Sequence, residues 1–124
     1  LVTQMRDGRR IVLDQQWRKP VALVINERSR SGKEAFAHGF KNLGIGPVVG
    51  CRTAGAVVSG SLRFLPDSTV LYLAVGDVEV DGARLEGVGV EPTRVVERPI
   101  PFSQGRDPQL EAALGELGDV LSGK

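Results

Sequence analysis

A serine at the start of a helix is the residue best placed to do chemistry in this chain of 124 residues. Residues 21–25 form a continuous apolar run that predicts a buried strand, and a short polar loop leads from them to Ser31. Backbone N–H groups at a helix N-terminus lack partners, and the helix dipole there favours negative charge. A serine at such a junction can attack a carbonyl carbon while nearby N–H groups hold the developing oxyanion.

The same serine has a purely structural interpretation as a helix cap. Ser31 followed three residues later by Glu34 has the spacing of a capping box, in which the glutamate reaches back to the serine N–H. The Gly-x-Ser-x-Gly turn of the α/β-hydrolases is absent from the sequence, which excludes that route to a serine hydrolase. On this motif alone, cap and nucleophile both remain open.

The chain offers no convincing general base for Ser31. Its single histidine, His38, falls two turns further along the same helix, a rise of about 10 Å. Proton transfer needs a separation of about 3 Å. Lys33 projects to a different side of the helix, and Lys41 falls in the last turn, where a cation interacts favourably with the dipole.

The elements that must position Ser31 predict a strand–helix–strand unit. The helix is expected from about Gly32 to Leu43, with Gly44 ending it and residues 47–50 forming the next strand. Its apolar side is expected from Phe36, Phe40 and Leu43. Such a unit has a right-handed crossover and hence a parallel pair of strands.

The rest of the chain predicts further strands and a closing helix. A short strand is expected at residues 9–13, and a long strand pattern runs around Thr69 to Val80. Its residues 70–75 are apolar on both faces, which predicts a strand covered on both sides. Asp81-Gly82 predicts a hairpin turn, and an extended tail follows Pro92. Asp107 caps the last helix, whose apolar stripe is Leu110, Leu114, Leu117 and Leu121. The fold class is therefore α/β, a mixed sheet with flanking helices.

Composition indicates one domain and excludes several classes of function. The chain is long enough to bury a core without disulfides, and Cys51 is its single cysteine. No apolar run reaches membrane-spanning length, and no His/Cys/Asp cluster has the spacing of metal ligands, so neither a membrane span, a metal nor a cofactor is expected. A net charge of +1 argues against general nucleic-acid binding.

Charge is nevertheless uneven along the sequence. The first half is basic and the second half acidic, and Arg28 and Arg30 flank the serine loop. These two arginines could attract an anionic group such as the C-terminal carboxylate of a substrate. The alternative, which we favour on sequence grounds, is that the two halves neutralise one another in the fold.

Four segments, in order, resemble one family of proteases. They are the serine loop at 26–34, Arg52-Thr53-Ala54-Gly55, the segment 85–92 with Gly87-Val88-Gly89, and the helix start at Asp107. Together they resemble the C-terminal processing peptidases, also called tail-specific proteases, over roughly residues 20–117. That family shows Asn-Glu-x-Ser-x-Ser-x-x-Glu, then Val-Gly-Glu-x-Thr-x-Gly, then Gly-x-Gly-Ile/Val-x-Pro, then an Asp-x-x-Leu-x-x-Ala-Leu helix.

The resemblance implies a serine endopeptidase that acts on polypeptides, on a ClpP/crotonase-like fold. It makes Ser31 the nucleophile and the Gly32 N–H an oxyanion donor. The segment expected to line the substrate site is Arg52, Thr53, Ala54, Gly55 and Ala56. Many members carry a lysine base where this chain has Ala56. The chain therefore resembles the tricorn-like branch more, which uses a histidine from an earlier segment and a glutamate, here Glu86. The alternative for Glu86 is a solvent-facing strand residue.

The missing base fits a chain that begins within a domain. The sequence starts at Leu1 rather than at an initiator Met, and it does not open with a targeting segment. Residues 1–124 are therefore expected to be one partial catalytic domain. Its absent N-terminal part would carry the histidine and the second oxyanion donor, and the chain alone would be inactive. An incomplete sheet edge would then favour a homo-oligomer.

The sequence leaves alternatives open for the cellular compartment and for the class of function. The resemblance favours a bacterial extracytoplasmic setting, whereas tricorn-like members are cytosolic. A non-catalytic peptide-binding or scaffolding domain that kept the protease fold is the main rival to the endopeptidase. A small-molecule enzyme on a crotonase-like fold is a third possibility, but the usual acyl-CoA signatures are not visible in the sequence.

Overall fold

A three-stranded parallel sheet carries the serine loop in the computed structural model, which describes residues 2–12, 17–98 and 104–123. Its order is β3 (Leu23–Ile25), β4 (Val48–Gly50) and β9 (Arg94–Val95). Leu23 lies opposite Val48, and Val49 lies opposite Arg94. The predicted parallel pair is confirmed. Strand β9 is an addition, because its residues fall in the predicted extended tail; residues 99–103 of that tail lie outside the described residues.

The helix between the first two strands, α1 (Gly32–Asn42), turns a partly polar face to the core. Its buried residues are Glu34, Ala37 and Phe40, whereas Phe36 is 60% exposed and Leu43 is 77% exposed. The predicted apolar side was therefore wrong at two of its three residues. The inward-pointing carboxylate of Glu34 sets the rotation of the helix about its axis, and Ala37 and Phe40 follow at the next turns. The core beneath them comprises Ile25, Val48, Val57, Leu85 and Val90.

Three antiparallel pairs stand beside the parallel sheet. They are β1 (Val2–Gln4) with β2 (Arg10–Val12), β5 (Ser59–Phe64) with β6 (Val70–Gly76), and β7 (Glu79–Val80) with β8 (Ala83–Arg84). The predicted first strand is found at β2, although residue 13 is not described, and the turn at Asp81-Gly82 is confirmed. The α/β class is confirmed. The described strands, however, form four small sheets rather than one mixed sheet.

Strand β6 contradicts the prediction that it is covered on both sides. Val70, Leu71, Tyr72, Leu73 and Val75 are all exposed. The strand pairs with β5 alone, and no described element packs on either face of this hairpin. An apolar pattern on both faces shows that a strand suits burial, but the covering must come from another element.

The last helix, α2 (Pro108–Ser122), begins at the predicted residue but buries a different face from the predicted one. The Asp107 carboxylate accepts the Leu110 N–H at 3.0 Å, and Pro108 is the first helical residue. The helix buries Gln109 and Ala113, whereas the predicted apolar stripe leaves Leu110, Leu114 and Leu121 exposed. The reason is a polar anchor, because Gln109 Nε2 donates to the Val96 carbonyl oxygen at 2.8 Å. Neither described helix has the length and apolar character needed to cross a membrane.

Candidate active site

Ser31 lies between β3 and α1 in a strained backbone conformation. Its φ is 60° and its ψ is −135°, and its side chain is exposed to solvent. L-residues rarely adopt a positive φ, and such strain costs about 1–3 kcal/mol and clusters at functional sites. A strained turn from strand to helix is also how other folds expose a nucleophilic serine hydroxyl.

The hydroxyl of Ser31 faces the helix start as in a capping box but makes no full hydrogen bond there. The two residues of a capping box face each other here, and the Ser31 N–H donates to Glu34 Oε2 at 3.2 Å. The Glu34 N–H, however, donates to the Ser31 carbonyl oxygen at 2.8 Å, and the Ser31 side chain makes no cap hydrogen bond of full geometry. Both contacts of a capping box are therefore present, but only the carboxylate contact has the geometry of a full hydrogen bond, so the hydroxyl is not held as in a regular cap.

Gly32 is the first residue of α1 and is exposed. A backbone N–H at this position has no acceptor within the helix. Apart from its chain neighbours and its own helix backbone, a Cβ placed on Gly32 would meet no atom within 4 Å, so the space beside this residue is open. The geometry therefore suits an N–H that donates to an incoming oxyanion.

The segment 53–56 lies between the serine loop and the turn that contains Gly89. On one side, the Ser31 N–H donates to the Ala56 carbonyl oxygen at 2.8 Å, and the Ala54 N–H donates to Ser29 O at 3.0 Å. On the other side, the Gly87 N–H donates to the Gly55 carbonyl oxygen at 2.8 Å. The predicted lining segment is thus in direct contact with the nucleophile candidate.

Arg52 departs from the rest of that segment. Its guanidinium is exposed and lies 3.7 Å from a carboxylate oxygen of Glu91, which is also exposed. The structure therefore brings residues 53–56 to the serine loop but directs Arg52 elsewhere.

Glu34 is the residue of the site that sequence reasoning missed. Its side chain is 0% exposed. Its carboxylate accepts hydrogen bonds from Thr53 Oγ1 (2.5 Å), Gly55 N–H (2.6 Å), Ala56 N–H (2.8 Å) and Ser31 N–H (3.2 Å). The sequence signals are the Ser-x-x-Glu spacing and the final glutamate of the Asn-Glu-x-Ser-x-Ser-x-x-Glu motif, and neither distinguishes a solvated cap from a buried one. Its burial depends on a segment twenty residues further along the chain, which closes over it.

The ionisation of Glu34 follows from these contacts. Burial alone raises the pKa of a carboxyl, but the hydrogen bonds from Thr53, Ala56, Gly55 and Ser31 together outweigh it. The pKa of Glu34 therefore lies below its ordinary value of 4.5, and the group is charged at neutral pH.

Acid should remove the stabilisation that Glu34 provides. A carboxyl whose folded pKa is depressed contributes stability above its unfolded pKa and loses it as pH falls through the folded pKa. We expect Glu34→Gln to lower the free energy of unfolding at pH 7, and we expect the deficit to shrink as pH falls below about 4.5. Urea denaturation of the unaltered protein and of Glu34→Gln from pH 7 to pH 3 measures this difference. The contributions of exposed carboxyls that both proteins share cancel in it. A deficit independent of pH would contradict the assignment.

Thr53 links the buried carboxylate to the neighbouring turn. Its hydroxyl donates to Glu34 and accepts the Val90 N–H at 2.7 Å. We expect Thr53→Val to lower the free energy of unfolding by about 2–4 kcal/mol, because it leaves two buried polar groups short of a partner. Thr53→Ser keeps the hydroxyl and should lose only about 1 kcal/mol for one buried methyl group. The exposed Thr3→Val in β1 is a surface control with a change within about 0.5 kcal/mol, and equal losses for the two Thr53 variants would contradict this role.

Glu86 occupies a turn rather than a strand and is half-buried. Its Oε2 accepts the N–H of Val57 at 2.7 Å and that of Val58 at 3.1 Å. The alternative of a solvent-facing strand residue is therefore wrong. The Glu86 carboxylate thus binds the backbone directly after Ala56, in the same loop whose Ala56 carbonyl oxygen accepts the Ser31 N–H.

The other candidate groups lie away from this centre. His38 remains on α1 with its Nε2 2.8 Å from Asn42 Nδ2. Burial raises the pKa of the Cys51 thiol, the nearby charge of Glu97 raises it further, and its Sγ lies 3.2 Å from Val96 O. Among the described residues, no group of three or more His, Cys, Asp or Glu side chains is arranged to hold a metal ion.

A groove of about 320 Å³ opens beside the start of α1. Its mostly apolar walls include Val24, Ile25 and Phe36. Ser29 and Gly32 also line it, whereas Ser31 itself does not. An extended chain with an apolar side chain could reach the Ser31 hydroxyl along such a surface.

The geometry defines the class, an α/β protein that presents a strained, exposed serine at a strand-to-helix junction beside a groove. The profile of Peptidase family S41 matches residues 2–96, so the chain belongs to this family, whose members are peptidases and hence hydrolases.

Relatives and solved structures agree with this assignment. Tricorn protease homolog 1 of Streptomyces coelicolor is 40% identical over 101 residues, which is 78% of this chain and 10% of that protein. The crystal structure of the tricorn protease has a TM-score of 0.80 and 30% identity over 98% of this chain and 12% of that one. The photosystem II D1 C-terminal processing protease shares the fold alone, with a TM-score of 0.58 and 22% identity over 80% and 25% of the two chains. The resemblance to the tricorn-like branch is confirmed, and the chain spans about a tenth of the length of the curated relatives it matches.

Proposed function

We propose that this chain is part of the catalytic domain of a serine endopeptidase of the C-terminal processing type, with Ser31 as its nucleophile. The observation that carries the proposal is the conformation of Ser31, an exposed residue with a positive φ whose hydroxyl makes no full cap hydrogen bond and which adjoins the first N–H of a helix. A residue that served only as a cap would gain nothing from this strain.

The proposed chemistry proceeds through an acyl-enzyme. Ser31 Oγ attacks the scissile carbonyl carbon and gives its proton to a general base, while the Gly32 N–H donates to the oxyanion that forms. The C–N bond then breaks, the amine leaves with that proton, and water hydrolyses the ester on Ser31. A segment that precedes residue 1 in a longer protein supplies the base and the second oxyanion donor.

Two observations support the proposal of an external base. No side chain among the described residues makes a hydrogen bond to the Ser31 hydroxyl, and the position where many members of the family it resembles carry lysine is Ala56. We propose that a histidine from the upstream segment takes this role and that Glu86 orients it. This segment also completes a ClpP/crotonase-like domain, and the chain without it is inactive.

Tail recognition is the specific part of the proposal. Arg28 and Arg30 are exposed beside the serine loop, and neither guanidinium has an ion-pair partner among the described residues. The test compares peptides with a free C-terminus and the same peptides with an amidated C-terminus. In the longer protein, charge reversal at both arginines should raise KM for the free peptides and leave KM for the amidated peptides unchanged. Equal KM changes for both peptide sets would reject tail recognition without rejecting the peptidase.

A fluorophosphonate probe tests the peptidase itself. The probe phosphonylates serines that an enzyme has activated, and mass spectrometry of the labelled longer protein should place the adduct on Ser31. A folded protein with no label on Ser31 would favour the alternative, a peptide-binding or scaffolding domain that kept the protease fold.

A further inference from the structure

We propose that Glu34 is a positioning residue that holds Ser31 in its reactive conformation, an inference that rests on the proposed function. The residue does not touch the reacting atoms. It acts through the backbone of the nucleophile and through the loop against which the nucleophile packs.

The contacts of Glu34 enclose the strained residue from two sides. The Ser31 N–H is shared between Glu34 Oε2 and the Ala56 carbonyl oxygen. The same carboxylate binds the N–H groups of Gly55 and Ala56, so it also fixes the loop that carries the second acceptor. Strained conformations persist only where surrounding structure over-determines them, and the Glu34 carboxylate takes part in three of these four bonds.

A carboxylate is required because all of its partners are donors. Three backbone N–H groups and the Thr53 hydroxyl converge on two oxygens. Glutamine at this position would turn an NH₂ group towards N–H donors on one side, which leaves them without an acceptor. Negative charge at this place also suits the N-terminus of α1.

The conformation of Ser31 governs both proposed catalytic groups together. Its φ places the hydroxyl, and its ψ sets the orientation of the following peptide plane, which carries the Gly32 N–H. Relaxation of Ser31 to a negative φ would therefore displace the nucleophile and the oxyanion donor in one movement. A misplacement of about 1 Å can cost about 100-fold in rate.

Labelling kinetics in the longer protein test this inference. We expect Glu34→Gln to lower the rate constant for fluorophosphonate labelling of Ser31 by about 100-fold, with one label per protein still reached at the end point. Glu34→Asp keeps the charge on a shorter side chain and should recover part of the rate. The matched control is Glu111→Gln, which removes an exposed helical carboxylate and should leave the rate constant unchanged. A purely structural role would lower the number of sites labelled and leave the rate constant per labelled site unchanged, which would overturn the inference.

A crystal structure of the Glu34→Gln protein provides a readout independent of activity. We expect the φ of Ser31 to leave the positive region, and retention of φ near 60° would overturn the inference. If the unaltered protein is not labelled at all, the proposed function fails, but this structure still decides whether Glu34 holds the serine. Should Glu34→Gln fail to fold, the same two measurements on Glu34→Asp decide it.

Discussion

Ser31→Ala should abolish peptide hydrolysis by the longer protein, with a loss of at least about 10⁴-fold in kcat/KM. The reason is that the substitution removes the only atom proposed to form the acyl-enzyme. Turnover of a peptide substrate and fluorophosphonate labelling measure the effect. The control is Ser29→Ala in the same loop, whose hydroxyl accepts the Asn26 N–H at 3.2 Å, and it should retain activity within about tenfold.

The free energy of unfolding of Ser31→Ala distinguishes a serine that acts as a nucleophile from one that caps the helix. A serine that capped α1 through its hydroxyl would lose about 1 kcal/mol on replacement by alanine. Because the contact of the Ser31 hydroxyl with the Glu34 N–H falls short of a full hydrogen bond, Ser31→Ala should change the free energy of unfolding by much less than this. Ser31→Gly should raise it by about 1 kcal/mol, because glycine adopts φ 60° without strain. Full activity in Ser31→Ala would end the nucleophile assignment, and a clear loss of stability would restore the cap.

Gly89→Ala should cost about 3–5 kcal/mol in the free energy of unfolding. Gly89 has φ +75°, and a Cβ there would lie 2.6 Å from the Thr53 carbonyl oxygen. That carbonyl belongs to the segment that buries Glu34, so the chain cannot yield at this point without opening the site. Urea denaturation measures the loss.

Gly115→Ala is the matched control for this glycine. Gly115 lies within α2, where a Cβ would meet no atom within 4 Å. Alanine there should stabilise the protein by about 0.5–1 kcal/mol through helix propensity. Similar changes at Gly89 and Gly115 would show that the close backbone approach at Gly89 is not essential.

Local signals were sufficient for several elements. Helix α1, its end at Gly44 and the cap of α2 at Asp107 were predictable, because each depends on neighbouring residues. The parallel pair of β3 and β4 followed from the helix that connects the two strands as a crossover. Ser31 and Gly32 could be selected from the order of a strand, a polar loop and a helix start.

Helix rotation and strand coverage were not predictable in the same way. Phe36 and Leu110 fit apolar stripes, yet both are exposed, because the inward contacts of Glu34 and Gln109 set the helix faces. Strand β6 is apolar on both faces, but no described element covers it. These outcomes depend on partners distant in sequence, which periodicity does not identify.

The sequence by itself determined which residues this chain can use and where its helices begin. It also determined the family, because the order of four short motifs is a property of the chain. Only the tertiary structure decided that Ser31 has φ 60° and that Glu34 is buried with four hydrogen bonds. The physical reason is that both features arise where residues 53–56 close over the serine loop, and the contacts that hold them there join residues about twenty positions apart.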